Sequence, residues 1–298
     1  MSTGTTKTRS RTGSSQHSPA RLGPRGWVDV FKAAGKHFIA DDCIGLAKEI
    51  AFSALLAFLP TVILVIGALG LFGPGPFNSL EHFVGSVAPK SVIDIIDLAK
   101  KDAAHNTSGS ALALAFAIVL SFWAATGAMN AVVKAVNRAY EYVETRPIWK
   151  VRLISFVLVI ATGLVLVGTF MLIIFGGNVG DAIARRTPLG DNFKVFWNVA
   201  RWPVVFVAVL LFFELIYYLA PNRETRRWRW LTPGAVVGSL AWLVLSGLFA
   251  LYTSYSSSYN RTYGSLAGGI ILVLWLYYSA WAILFGAELN SQLDRRRS

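Results

Sequence analysis

Apolar residues fall into six long runs separated by polar or basic stretches. The runs are Ala51–Phe72, Ser110–Val133, Val151–Phe175, Pro203–Ala220, Gly234–Thr253 and Leu266–Ala287. A helix rises about 1.5 Å per residue, so about 20 residues cross a hydrocarbon core of about 30 Å. Lipid offers no partner to an open backbone group, so each run is expected to be a helix. One such run would fit a buried soluble helix, but six in one chain do not. The pattern predicts an all-α, polytopic membrane protein with six transmembrane helices. Pro60 lies inside the first run and removes a backbone donor, which predicts a kink there.

The segments outside the runs have patterns of their own. Residues 1–26 are rich in Ser, Thr, Gly and Arg and hold no acidic residue, which predicts a disordered basic tail. Trp27, Val30, Phe31, Ala34 and Phe38 recur at helical spacing with Lys32 and Lys36 off that stripe. They predict a short amphipathic helix, either lying in the membrane interface or docked on the bundle. Two further stripes, Phe77/Leu80/Phe83/Val84/Val87 and Val92/Ile95/Ile96/Ala99, predict two more short helices on the opposite side. Asn106 and Asn260 each begin a short glycosylation-type triplet on that side, a pattern common by chance. The domain reading is a tail over 1–26, a six-helix transmembrane domain over 27–290 and a basic C-terminal tail over 291–298.

Composition agrees with a lipid surrounding. Only 15% of the 298 residues are charged and 54% are apolar, too little charge to cover a water-soluble surface of this size. The lone cysteine, Cys43, excludes an intrachain disulfide framework and a Cys-rich metal site. A net charge of +12 would suggest nucleic acid, but the distribution of the 28 Lys and Arg decides otherwise. Eight lie in the segment that ends at Ile50, five in 134–152, four in 221–233 and three in the tail. The alternate segments hold three, four and one. By the positive-inside rule both termini are cytoplasmic. Trp149, Trp197, Trp202, Trp228 and Trp230 flank runs, as interfacial rings do. The basic excess is therefore topology. The expected partners are the bilayer and its anionic headgroups, not a specific nucleic acid.

Ionisable groups within membrane spans are costly and rare, so each is a functional candidate. Glu214 lies six residues, about 9 Å along a helix, from the cytoplasmic end of the fourth run. Asn130 lies late in the second run, and Lys134, Asn137 and Arg138 follow at three- and four-residue steps. Glu288 and Asn290 end the sixth, and Lys48 and Glu49 precede the first. All of these fall on the cytoplasmic side. The expectation is a polar cavity open to the cytoplasm with Glu214 in its wall, and Lys134 and Arg138 as the cations nearest in depth. Arg146 is expected to attract anions. The bland alternative is a set of ion pairs that fix helix packing. Gly234 with Gly238, and Gly264 with Gly268, have the four-residue spacing that lets helices approach closely, within the chain or in a homo-oligomer.

Catalytic patterns are missing. His17, His37, His82 and His105 are far apart in sequence, and no HExxH, phosphate-binding glycine loop or Ser-His-Asp order appears. No spacing suits a metal. No enzyme activity and no cofactor are expected.

Several short segments together resemble one family. They are Ala51-Phe52-Ser53-Ala54-Leu55 with Pro60, Asn137-Arg138-Ala139-Tyr140 with Glu144-Thr145-Arg146-Pro147, and Pro233-Gly234. Tyr252 with the Ser-rich stretch to Tyr259, Thr262-Tyr263-Gly264 and Gly286-Ala287-Glu288-Leu289-Asn290 follow in order. Over roughly residues 40–295 the chain resembles the YihY/BrkB family of bacterial inner-membrane proteins, once labelled ribonuclease BN. The resemblance implies a six-helix protein linked to envelope integrity and, in some members, to serum resistance or virulence. It implies that the ribonuclease label is a misassignment, and it supplies no reaction and no catalytic residues. Three functions follow in order of preference: translocation of a lipid or small anionic envelope precursor, a non-transporting scaffold, and a membrane-bound nuclease.

Overall fold

The computed structural model describes residues 23–71, 107–174, 190–223, 231–255 and 266–296. Among them are seven α-helices and no strand: α1 Pro24–Ala40, α2 Cys43–Leu71, α3 Thr107–Ala139, α4 Ile148–Ile174, α5 Gly190–Leu219, α6 Pro233–Tyr255 and α7 Leu266–Arg295. The two stripes over 77–99, Asn106, the Asn260 triplet and Gly264 lie outside the described residues, as does most of the 1–26 tail.

Helices α2 to α7 are 23 to 33 residues long. Even the shortest spans about 35 Å. Five of them, α3 to α7, are long and apolar enough to cross a membrane. Their outward surfaces are apolar too: Phe116, Trp123, Leu164, Val199 and Leu248 are each more than half exposed. Exposed apolar residues over whole helices are ruinous in water and ordinary in lipid.

Each helix packs on the next, α2 on α3 through to α6 on α7, and α7 returns to α2 and closes the ring. Neighbouring helices run antiparallel. Gly234, Trp242 and Ser246 of α6 meet Asn290, Ser279 and Trp275 of α7 in reversed order. The connection 140–147 and the described residues 220–223 and 231–232 therefore lie at the end of the bundle that carries α1 and the last turns of α7.

Four boundaries differ from the sequence expectation. Helix α5 starts at Gly190, so Pro203 is inside it rather than at its head. Helix α3 continues six residues past Val133 to Ala139. Helix α2 starts at Cys43, eight residues before the apolar run, with Asp42 as its cap: the Asp42 carboxylate accepts the Gly45 N–H at 3.2 Å. Helix α7 runs to Arg295, into the expected tail. Hydropathy ends a span where polar residues begin, but Glu288, Asn290, Ser291 and Gln292 are buried by neighbouring helices, and Leu293 with them. Helix α2 passes through Pro60 without a break.

Helix α1 is docked. Val30 and Ala34 pack with Leu289 and Leu293 of α7. Phe38 meets Trp281 and Phe285 edge-on at 5.4 and 6.1 Å.

Candidate functional site

The end of the bundle that carries α1 and the last turns of α7 gathers the polar side chains singled out in the sequence, in three groups.

The first surrounds Glu214, 3% exposed on α5. Thr232 caps α6 ahead of Pro233, a threonine-proline pair that suits a helix start. The Glu214 carboxylate accepts the Thr232 N–H at 3.0 Å and its hydroxyl at 2.6 Å. Asn290 of α7 donates to the Thr232 hydroxyl at 3.0 Å and accepts the Gly234 N–H at 2.8 Å. A carboxylate at a helix N-terminus is favoured by the unpaired N–H groups and the dipole there. Glu214 has no Lys or Arg partner among the described residues.

The second is a clamp between the α3–α4 connection and the end of α5. Arg146 grips Glu144 with Nε at 2.7 Å and Nη2 at 2.5 Å. The same guanidinium donates to the Leu219 and Ala220 carbonyls at 3.3 and 2.8 Å. Asn137 donates to Glu144 at 2.8 Å and accepts the Asn222 N–H at 2.7 Å. The Arg146 hydrogen bonds hold the Glu144 carboxyl below its ordinary pKa. Nearby, Arg223 pairs with Asp294 at 3.0 Å and lies over the Tyr140 ring at 4.6 Å. Burial raises the Tyr140 phenol pKa.

The third lies where α1 turns into α2. His37 Nδ1 is 3.8 Å from Asp41 and 3.6 Å from Glu141, and Glu141 also pairs with Arg295. Below them Glu288 is fully buried, and one of its oxygens accepts the Cys43 thiol at 3.6 Å. His37, Asp41 and Glu141 are the described residues whose side chains could hold a metal together.

The expected site residues thus divide. Glu214, Asn137, Glu288 and Asn290 are buried. Lys48, Glu49, Lys134 and Arg138 are exposed, and Asn130 is half-buried. Lys134 pairs across to Glu49 at 3.4 Å rather than with Glu214. Arg146, expected to attract anions, gives four of its five N–H donors to internal acceptors. The two glycines Gly234 and Gly238 face neighbours: a Cβ on Gly234 would strike the Gly286 carbonyl, and one on Gly238 would stand 2.9 Å from the Tyr217 hydroxyl.

Sequence reasoning missed Thr232, Asn222 and the group around His37. A threonine before a proline that opens an apolar run is a legible cap signal. The His37 group has no such signal, because its members come from separate elements.

Beside this end lies an apolar cleft of about 380 Å³ between α1, α2, α6 and α7, lined by Phe38, Ile44, Leu245, Trp281 and Phe285 among others.

The family model described as Virulence factor BrkB matches residues 34–298. The chain belongs to this family. The BrkB match covers every helix described except the first part of α1. Among relatives, a protein of Bacillus subtilis named "Putative ribonuclease-like protein YfkH" is 31% identical over 251 residues, 84% of this chain and 90% of its own. A UPF0761 membrane protein of Idiomarina loihiensis is 24% identical, over 90% of this chain and 91% of its own. Another, of Alteromonas mediterranea, is 28% identical over 89% and 87%. No solved structure matches. Family and apolar helices together make this a multi-pass membrane protein.

Proposed function

We propose that this BrkB-family protein is a non-enzymatic translocator of a lipid or small anionic envelope precursor in the bacterial inner membrane. Both termini are cytoplasmic in this reading, and α2 to α7 are its six spans. One observation carries it. Glu214 is a buried carboxylate offset by a hydroxyl and a helix N-terminus, with no cation among its described partners. Such a group is expensive in a membrane protein and marks a candidate binding site. Arg138 and Lys134, exposed at the same end, would attract a phosphate or carboxylate. The apolar cleft beside them suits an acyl chain, so the two environments favour an amphipathic cargo.

The test has two arms. In a strain lacking the gene, Glu214→Gln should fail to restore envelope resistance although the protein is made and inserted. In a Cys43→Ala background, Asn130→Cys and Lys134→Cys should react with a water-soluble thiol reagent from the cytoplasmic side. Full rescue by Glu214→Gln removes the mechanism.

A scaffold without transport is the second reading, favoured by the Arg146 clamp, which spends four of its five N–H donors tying the α3–α4 connection to the end of α5. Blocked thiols at 130 and 134 would select it.

A further inference from the structure

The group where α1 meets α2 has a geometry that hydrogen bonding does not explain. His37 Nδ1 lies 3.6 Å from a Glu141 oxygen and 3.8 Å from an Asp41 oxygen, both too long for a hydrogen bond. The three ligand-type atoms lie within 4.8 Å of one another. Ligands held about 2.1 Å from a tetrahedral ion stand roughly 3.4 Å apart, close to these separations.

A second observation concerns what lies beneath. Glu288 of α7 is 0% exposed, and its Oε2 has no hydrogen-bond partner. The Asp41 Oδ2 atom is also shut off from solvent and unpartnered. Carboxylate oxygens left without a donor away from water favour a cation beside them. Arg295 pairs with the same Glu141 oxygen, Oε1, that faces His37, so an ion would share that oxygen with the guanidinium or take the second one.

We propose that His37, Asp41 and Glu141, backed by Glu288, bind one divalent transition-metal ion, with Zn²⁺ or Mn²⁺ the best match to an imidazole-carboxylate set. The ion would staple α1 to the α3–α4 connection and to α7, which otherwise meet through Arg295. His37 and Glu141 are partly exposed, so an ion can enter from the aqueous side. The inference is independent of the role assigned to Glu214.

The experiment uses the full chain, stripped with EDTA in detergent and titrated with ZnCl₂ or MnCl₂ alone. Calorimetry and thermal unfolding are the readouts. The expected result is one saturable site per chain and a rise in melting temperature. His37→Gln and Glu288→Gln should each weaken binding at least tenfold, while Asp29→Asn, on the exposed face of α1, leaves it unchanged. Because Glu288→Gln alters a buried position, His37→Gln is the deciding variant. Absence of saturable binding, or binding that His37→Gln leaves intact, overturns the proposal. The Glu214 rescue experiment is unaffected by either result.

Discussion

Arg146 reaches from the α3–α4 connection to the last carbonyls of α5, and Glu144 holds it there. The first and largest influence on the Glu144 carboxyl is the Arg146 side-chain hydrogen bond, which lowers its pKa from 4.5. A carboxyl whose pKa is lower folded than unfolded stabilises the fold above its unfolded value and loses that contribution as pH falls through the folded one. The melting temperature of Glu144→Gln should therefore lie below that of the wild type at pH 7. The gap should close on acidification from pH 5 downward. Arg146→Ala should cost about 2 kcal/mol at pH 7, since it orphans Glu144 and two helix-end carbonyls. Arg146→Lys should recover only part, because an ammonium cannot present a planar pair of donors. Denaturant or thermal unfolding in detergent over pH 3 to 8 measures both. A gap that widens with acid would contradict the assignment.

The α6–α7 pair shows what a helix contact demands of its residues. A Cβ on Gly286 would overlap the Gly234 carbonyl and the Tyr217 hydroxyl, and that hydroxyl donates to the Ile283 carbonyl at 2.7 Å. The backbones approach closely only because both positions lack a side chain. Gly286→Ala and Gly234→Ala should each destabilise the bundle by about 1–3 kcal/mol through overpacking. Gly247 on the same α6 has nothing within 4 Å of its would-be Cβ. Gly247→Ala should be neutral or stabilising by up to about 1 kcal/mol, since alanine is the better helix former. Thermal unfolding of the three variants in one detergent makes the comparison, and equal losses at all three would discount the close approach.

At the scale of the molecule, a closed ring of helices presents apolar faces outward and concentrates its polar contacts at the end with α1 and the last turns of α7. Lys and Arg follow the same division along the chain, which fixes the expected orientation. Reporter fusions should show both termini in the cytoplasm and the 73–109 segment outside. Arg152 lies 5.2 Å over the Trp123 ring and Arg201 5.8 Å over the Trp202 ring, each pairing a cation with an aromatic face. An exported C-terminus would reverse the direction proposed for the cargo and place the His37 group on the outer side.

The apolar runs by themselves determined that this chain is helical and membrane-bound, because lipid tolerates no unpaired backbone over about 20 residues. They also located the polar groups at one end, since depth along a helix is a matter of counting. Tertiary structure decided which of those groups meet. Asn137 and Arg138 are adjacent in sequence, yet one is buried against Asn222 and the other is exposed, because successive helical positions point about 100° apart. Arg146 became a clamp when α5 ended beside it. His37 and Asp41 at the end of α1, Glu141 and Glu288 came together from three places in the chain, and no spacing along a single helix encodes a contact that only the packing of several can make.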